Sequence, residues 1–150
     1  MTEVTMTGAG LTGESMTGKN LAAAAARLAG TRFAPHGRDP ESGVDCLGLL
    51  LAAMAACGER PALSAHYSVR RRGEGEALAT AMRLGLIDAN GPVEPGDVLL
   101  VRCSPVHVHV LIALGGDRFV HAHAGLGKVV VGARDPDWPL LRHWRLSPSA

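Results

Sequence analysis

The stretch Gly43-Val44-Asp45-Cys46-Leu47-Gly48-Leu49-Leu50-Leu51 contains the start of an apolar helix. Asp45 is a favourable N-cap residue, because its carboxylate can accept hydrogen bonds from the N–H groups of a first helical turn. No strong breaker follows Cys46 until Gly58, so we predict a helix between them. One face of this helix is apolar and carries Leu47, Leu50, Leu51 and Met54. We therefore predict that this face packs on the rest of the domain.

Cys46 lies on the first turn of the predicted helix. The positive end of the helix dipole favours a thiolate over a thiol at that position, which would activate Cys46 as a nucleophile. The alternative is structural, because free cysteine is among the most buried residue types. Both interpretations stay open on this stretch alone.

The composition excludes one class of partner. The chain has 150 residues, enough for one domain with its own hydrophobic core. Its net charge is +1, from 15 Lys and Arg and 14 Asp and Glu, and aromatic residues make up 3%. The sequence lacks both a polybasic signature and a set of base-stacking aromatics, so we expect no nucleic-acid partner.

The N-terminus lacks the charged and apolar regions of a secretory signal peptide, and no apolar run is long enough to cross a bilayer. We therefore expect synthesis in the cytoplasm and no membrane partner. The three cysteines, Cys46, Cys57 and Cys103, cannot all pair, which fits a reducing compartment.

The chain divides into a leader and one domain. Residues 1–19 are rich in Thr, Gly and Met and have no hydrophobic period, so we predict a flexible leader there. Residues 20–150 are predicted to form the domain. Its first helix is expected over residues 21–28, with Asn20 as N-cap and Gly30 as C-terminal stop.

The hydrophobic period changes along the domain. After an irregular stretch over residues 59–75, a third helix is predicted over residues 76–84. Short β-rich runs follow at residues 98–102, 106–114, 118–122, 128–131 and 141–146. Helices followed by an antiparallel sheet are the α+β pattern, so we expect N-terminal helices packed on a C-terminal antiparallel β-sheet.

Four histidines form two His-x-His pairs in the predicted sheet, His107 with His109 and His121 with His123. Alternation places both members of a pair on the same face of their strand. Four imidazoles on neighbouring strands could bind zinc. Alternatively, one histidine could be the base for Cys46 and a second could orient it.

The turn between the two histidine strands decides how they align. If Gly115-Gly116-Asp117 is a three-residue loop, His109 faces His123, and His121 is the diagonal neighbour of His109 at roughly 7–8 Å. A two-residue loop would instead place His109 and His121 on opposite faces. The sequence leaves both loop lengths open, and only the three-residue loop places His109 and His121 on one face.

Four motifs, in order, resemble those of the NlpC/P60 cysteine peptidases, papain-like enzymes that cut peptidoglycan stem peptides. Asp45-Cys46-Leu47-Gly48 is similar to the Asp-Cys-Ser-Gly motif of the family. Pro95-Gly96-Asp97-Val98 is similar to its Pro-Gly-Asp strand entry. The run from His109 to Gly115 is similar to its His-Val-Gly-Ile motif, and Phe119-Val120-His121-Ala122 to its Phe-Ile-His-Ala motif.

The resemblance implies a papain-like NlpC/P60 fold and a cysteine peptidase without metal or cofactor. Cys46 would be the nucleophile, His109 its imidazole partner, and His121 the residue that orients His109. Asp45 could also meet an amine of the substrate. The substrate would be peptidoglycan, cut at the bond between D-glutamate and the diamino acid of the stem peptide.

The loop over residues 31–40 resembles the branch of the family found in tailed phages, prophages and gene transfer agents, as does the ending around Trp138 and Trp144. This branch implies association with proteins of a phage-tail-like particle and delivery to the cell wall in that particle.

Two departures from the family pattern keep other functions open. Leu47 replaces the usual Ser, and Phe33 stands where many members carry a Tyr that assists the oxyanion. Removal of one oxyanion donor typically lowers turnover about 10²- to 10³-fold. One alternative is therefore a weak or inactive tail-assembly or interaction protein on the same fold. Another is acyl transfer instead of hydrolysis.

Overall fold

The computed structural model describes residues 16–60 and 69–147. Its helices are α1 (Gly18–Ala26), α2 (Cys46–Ala56) and α3 (Val69–Arg83). Its strands are β1 (Arg38–Asp39), β2 (Gly43–Val44), β3 (Leu86–Asp88), β4 (Val98–Ser104), β5 (His107–Gly115), β6 (Arg118–His123), β7 (Lys128–Gly132) and β8 (Leu140–Leu146). Residues 1–15, most of the predicted leader, lie outside the described part of the chain.

Six of the strands form one antiparallel sheet in the order β3-β8-β4-β5-β6-β7. The short strands β1 and β2 pair with each other just before α2. Helix α2 packs against β5 and β6, and α1 packs against both α2 and β5. The predicted α+β architecture, with N-terminal helices on an antiparallel sheet, is confirmed.

Apolar side chains are buried on both faces of this sheet. Along β5, Val108, Val110 and Ile112 join the core that contains the helices. Leu111 and Ala113 point to the other face and pack in a second cluster with Leu99, Val101 and Phe119, against which Trp138 lies. Because β5 is buried on both faces, its sequence is an almost unbroken run of apolar residues.

The first helix begins earlier than predicted. Its N-cap is Thr17, whose Oγ1 accepts a hydrogen bond from the backbone N–H of Asn20 at 3.1 Å. The prediction of Asn20 as the cap was wrong, because Asn20 already lies inside the helix. A Cβ atom at Gly18 would come within 2.5 Å of the carbonyl oxygen of Pro95, so the absence of a side chain lets this end of the helix pack on the turn before β4.

In the middle of the chain, one predicted boundary was wrong and one strand was missed. Helix α3 begins at Val69, inside the stretch predicted to be irregular, and passes through Gly73 and Gly75. Glycine weakens a helix interior, but packing of an apolar face can outweigh propensity. That face is buried here through Ala77 and Ala81. Strand β3 was missed, since three residues are too short to show a period.

Candidate active site

The turn between β5 and β6 aligns the histidine strands in an unexpected way. Gly115 pairs with Arg118, so the connection contains two residues, Gly116 and Asp117. A register shift between Ala113 and Gly115 compensates for the shorter turn, and Ile112 pairs with Val120 as the three-residue loop required. The extra residue is absorbed as a β-bulge. The pairing that the three-residue loop required is therefore kept at Ile112 and Ala113.

This register brings His109 and His121 together. The Nε2 atom of His109 lies 2.9 Å from Nδ1 of His121, and the ring centroids are 5.0 Å apart with nearly perpendicular planes. Both residues are buried, with 7% and 8% of their surfaces exposed. The distance is that of a direct hydrogen bond between the imidazoles.

Trp138 covers the imidazole pair. Its ring centroid lies 5.8 Å from that of His109 and 6.0 Å from that of His121, and it meets both edge-on. The indole therefore packs against both imidazoles. In the sequence, Trp138 was noted only as part of the C-terminal ending. Its position over His109 could not be predicted, because that position depends on tertiary structure.

Burial, with a smaller contribution from nearby His123, lowers the pKa of His121 to about 4. His121 is therefore neutral at pH 7, and one of its ring nitrogens must be a hydrogen-bond acceptor. If Nδ1 is that acceptor, the proton of the bond belongs to Nε2 of His109. Proton exchange with a third group would then use Nδ1 of His109.

Helix α2 begins as the sequence predicted. The Oδ1 atom of Asp45 accepts a hydrogen bond from the backbone N–H of Gly48 at 2.7 Å, which confirms the N-cap. Cys46 is the first residue of the helix and is 4% exposed. The helix contacts β5 and β6, the strands that carry His109 and His121.

Arg38 extends this cap. Its Nη1 donates to Oδ1 of Asp45 at 2.7 Å and to the carbonyl oxygen of Gly37 at 3.0 Å. Sequence reasoning missed Arg38, because the short β1–β2 hairpin is what brings it to the helix. These contacts explain the burial of Asp45. The binding of a substrate amine by Asp45 stays a prediction.

Gly48 has a packing role that explains its place in the motif. A Cβ atom at Gly48 would collide with the carbonyl oxygen of Gly37. The backbone N–H of Asp45 also donates to that oxygen, at 3.3 Å. The loop around Gly37 is thus held against the first turn of α2.

Phe33 lies on the same loop, near the start of α2. Its backbone pairs with Val44, and its N–H donates to the carbonyl oxygen of Gly127 at 2.9 Å. The side chain packs against the main core. An aromatic residue therefore borders the segment leading into Cys46, as the family resemblance implies, but without a hydroxyl group.

Four histidines do not gather into one zinc site. His107 pairs with Oγ of Ser104 at 2.9 Å, and Nδ1 of His123 accepts from the N–H of Leu126 at 3.0 Å. Within residues 16–60 and 69–147, no group of three or more His, Cys, Asp or Glu side chains is placed to bind a metal ion.

Asp97, the aspartate of the Pro-Gly-Asp motif, has a structural role. It accepts hydrogen bonds from Nε of Arg145 at 2.8 Å, from Nε2 of His143 at 2.6 Å and from the N–H of Glu94 at 2.8 Å. Burial by itself raises the pKa of Asp97, but these bonds outweigh burial and hold it below the usual value. The residue ties β4 to β8.

Among the residues that the structure describes, no helix is both long and apolar enough to cross a membrane.

Comparison with solved structures identifies the fold. The NlpC/p60 domain of the peptidoglycan hydrolase SagA is 28% identical to this chain with a TM-score of 0.55, over 79% of this chain and 90% of that one. An NlpC/P60 family protein from Bacillus cereus gives 15% identity and a TM-score of 0.64, over 89% and 41%. The peptidoglycan hydrolase RipB from Mycobacterium tuberculosis is 18% identical to this chain with a TM-score of 0.54. The match covers 85% of this chain and 63% of the RipB chain.

No protein-family model and no curated protein matches the sequence. This chain spans less than two thirds of the Bacillus cereus and RipB chains, so only a part of those proteins is comparable. The chain has the fold of the NlpC/P60 domains, and the likeness to the SagA domain supports the resemblance found in the sequence.

Proposed function

We propose that this protein is a cysteine endopeptidase that hydrolyses peptidoglycan stem peptides. The hydrogen bond between His109 and His121 is the observation that carries the proposal. His109 and His121 lie on the two strands that the helix of Cys46 contacts. The fold therefore provides the parts of a thiol–imidazole site. The two similar hydrolases act on peptidoglycan, which supports that substrate.

Cys46 is the proposed nucleophile. As a thiolate at the start of α2, it would attack the carbonyl carbon of the peptide bond and form a tetrahedral intermediate. The backbone N–H of Cys46 would donate to the oxyanion. Collapse of the intermediate breaks the C–N bond and leaves a thioester on Cys46.

His109 is the proposed acid and base. Its imidazolium would give a proton from Nδ1 to the leaving amine, because Nε2 is engaged with His121. The same nitrogen would then take a proton from the water that attacks the thioester. Breakage of the C–S bond releases the carboxylic acid and restores the thiolate of Cys46.

The contact between Cys46 and His109 is proposed at the end of the sheet. Helix α2 packs with the core on one face, whereas His109 pairs with Val101, which belongs to the cluster on the other face. Paired residues share a face, so the sulfur would reach the imidazole around the strand ends rather than through the sheet. Those are the ends where β5 begins and β6 finishes.

The finer parts of the function are also proposals. The bond cut would be the one between D-glutamate and the diamino acid, as the family resemblance implies. The loop over residues 31–40 supports association with a phage-tail-like particle or gene transfer agent, which would deliver the protein from the cytoplasm to the cell wall.

Purified cell walls and defined stem peptides test the proposal. The expected result is a new amino group on the diamino acid and a new carboxyl group on D-glutamate, both identified by mass spectrometry. Intact cell walls and peptides after prolonged incubation with folded protein would contradict the peptidase. Products joined to an added amine, without free acid, would favour acyl transfer.

A further inference from the structure

His36 has a strained backbone on the loop before α2. The N–H of Gly37 donates to the carbonyl oxygen of Ala34 at 2.9 Å, which closes a turn with Pro35 and His36 at its centre. The φ angle of His36 is +58°, and no other non-glycine residue in the described part of the chain has a positive φ. Glycine usually supplies a positive φ at the second central position of a turn, because a Cβ atom is unfavourable there. A histidine at this position therefore costs stability that a glycine would not.

The surrounding backbone imposes this conformation. A Cβ atom at Gly37 would collide with the carbonyl oxygen of Gly43. The carbonyl oxygen of Gly37 accepts a hydrogen bond from the N–H of Asp45 at 3.3 Å and lies where a Cβ atom of Gly48 would be. The turn is thus held between the β1–β2 hairpin and the first turn of α2. This close packing keeps residue 36 beside the start of the helix.

The fold itself does not use the imidazole of His36. The residue is exposed. Its ring makes no hydrogen bond or ion pair within the two described ranges of the chain. Backbone strain of this kind is concentrated at active sites and ligand-binding segments. The ring is therefore available to a ligand at the start of α2.

The proposed reaction needs a donor at this place. The backbone N–H of Cys46 would supply one hydrogen bond to the oxyanion, and oxyanion sites combine several donors. In the segment from Phe33 to Gly37, the only side chain that carries an N–H or O–H group is that of His36. Arg38 follows directly, but its Nη1 donates to Asp45.

We propose that His36 is a catalytic residue whose imidazole N–H donates a hydrogen bond to the oxyanion formed when Cys46 attacks the peptide carbonyl. This inference rests on the proposed peptidase function. Imidazole has an N–H donor whether it is neutral or protonated. The bond is stronger to the oxyanion than to the carbonyl oxygen of the substrate, because the acceptor becomes charged only in the tetrahedral intermediate. His36 therefore acts on kcat more than on KM.

Three substitutions of His36 separate the donor from the backbone. Glycine, asparagine and aspartate tolerate a positive φ, and of these only asparagine has a side-chain N–H. His36→Gly should lower kcat about 10²-fold on a stem peptide with little change in KM, the loss typical of one oxyanion donor. His36→Asn should recover part of this loss. His36→Asp, which has the same shape as His36→Asn, should not.

Unfolding in denaturant distinguishes this role from a structural one. Glycine adopts the observed φ without strain, so His36→Gly should unfold at a denaturant concentration equal to or above that of the wild type. A clearly lower midpoint would show that the imidazole stabilises the fold, and would overturn the proposal.

A peptide aldehyde tests the donor without hydrolysis. The sulfur of Cys46 adds to the aldehyde carbon and the thiol proton moves to the oxygen, so a C–S bond forms and the oxygen of the tetrahedral product takes the oxyanion position. The same peptide ending in an alcohol cannot form this bond and reports the binding of the peptide alone. Calorimetry should show that His36→Gly weakens the aldehyde about 5-fold, the value of one hydrogen bond, and leaves the alcohol unchanged.

The outcomes separate the two proposals. If the wild type and His36→Gly cleave the stem peptide with equal kcat, the peptidase stands and the role of His36 falls. If the wild type cleaves no peptide but prefers the aldehyde to the alcohol, and His36→Gly reduces that preference, the donor stands and the peptidase falls. Equal affinity of the wild type for the aldehyde and the alcohol overturns both.

Discussion

Nε2 of His109 and Nδ1 of His121 are joined by a 2.9 Å hydrogen bond across two neighbouring strands, under the ring of Trp138. This bond fixes the plane of the His109 ring, and the proton of the bond belongs to Nε2 of His109 if Nδ1 of the neutral His121 is the acceptor. His121 therefore acts on the proposed reaction through His109. We describe it as a positioning residue.

Substitution of His121 should affect kcat more than KM. His121→Ala removes the hydrogen-bond partner of Nε2 of His109 and should lower kcat about 10²-fold or more, as loss of the orienting member of a triad does. His121→Asn keeps an acceptor oxygen and should restore part of the loss. Steady-state kinetics on one stem peptide measures both. Equal kcat in His121→Ala and the wild type would contradict the positioning role.

The low pKa of His121 predicts an acid-sensitive fold. Burial comes first among the causes that lower it from 6.5 to about 4. Between these values the unfolded chain binds the proton and the folded chain does not, so stability is complete above pH 6.5 and falls as the pH drops towards 4. The loss is at most about 3 kcal/mol, from 1.36 kcal/mol for each pH unit.

Urea unfolding at pH 7.5 and pH 4.5 measures this effect. The wild type should lose more free energy of unfolding on acidification than His121→Asn, which cannot take up the proton. Equal losses in the two proteins would show that His121 does not titrate with the fold.

Asp45 should be more important for stability than an ordinary cap. Asp45→Ala removes the bond to Gly48 and leaves the half-buried Arg38 without its carboxylate. We expect a loss of about 2–4 kcal/mol in the free energy of unfolding, since a cap contributes ~1 kcal/mol and a broken part-buried ion pair adds to it. Asp45→Asn keeps the capping oxygen and should lose less.

A double-mutant cycle with Arg38→Gln isolates the ion pair. A coupling energy near zero between Asp45→Asn and Arg38→Gln, measured by denaturant unfolding, would contradict this account of the helix start.

Phe33→Tyr should increase turnover. The backbone of Phe33 pairs with Val44, two residues before Cys46, and a hydroxyl on this ring would add an oxyanion donor. One such donor contributes about 10²- to 10³-fold in kcat when well placed, so an increase of about 10-fold is a modest expectation. An unchanged kcat in Phe33→Tyr would exclude this position as the missing donor.

Local chemistry made the start of α2 predictable. An N-cap carboxylate acts on the next three residues, so Asp45, Cys46 and Gly48 could be assigned from the sequence. The strands after Asp97 were also predicted closely, because each is an apolar run between turn residues. The four NlpC/P60-like motifs then indicated the fold that the solved structures support.

What the sequence could not provide depends on contacts between distant residues. The bulge before Gly115 follows from the pairing of whole strands, because a Gly-Gly-Asp segment suits a two- or a three-residue turn equally well. The partnership of Arg38 with Asp45 needs the short hairpin between them. The position of Trp138 over the histidines needs the complete sheet.

The most direct test of the proposed chemistry compares cell-wall hydrolysis by the wild type, Cys46→Ala and Cys103→Ala. Cys103 is a half-buried thiol at the end of β4 and is the matched control. We predict release of soluble peptide from purified peptidoglycan by the wild type and Cys103→Ala, and none by Cys46→Ala, with all three proteins unfolding at similar denaturant concentrations. Equal release by folded Cys46→Ala would contradict the assignment of its sulfur as the nucleophile.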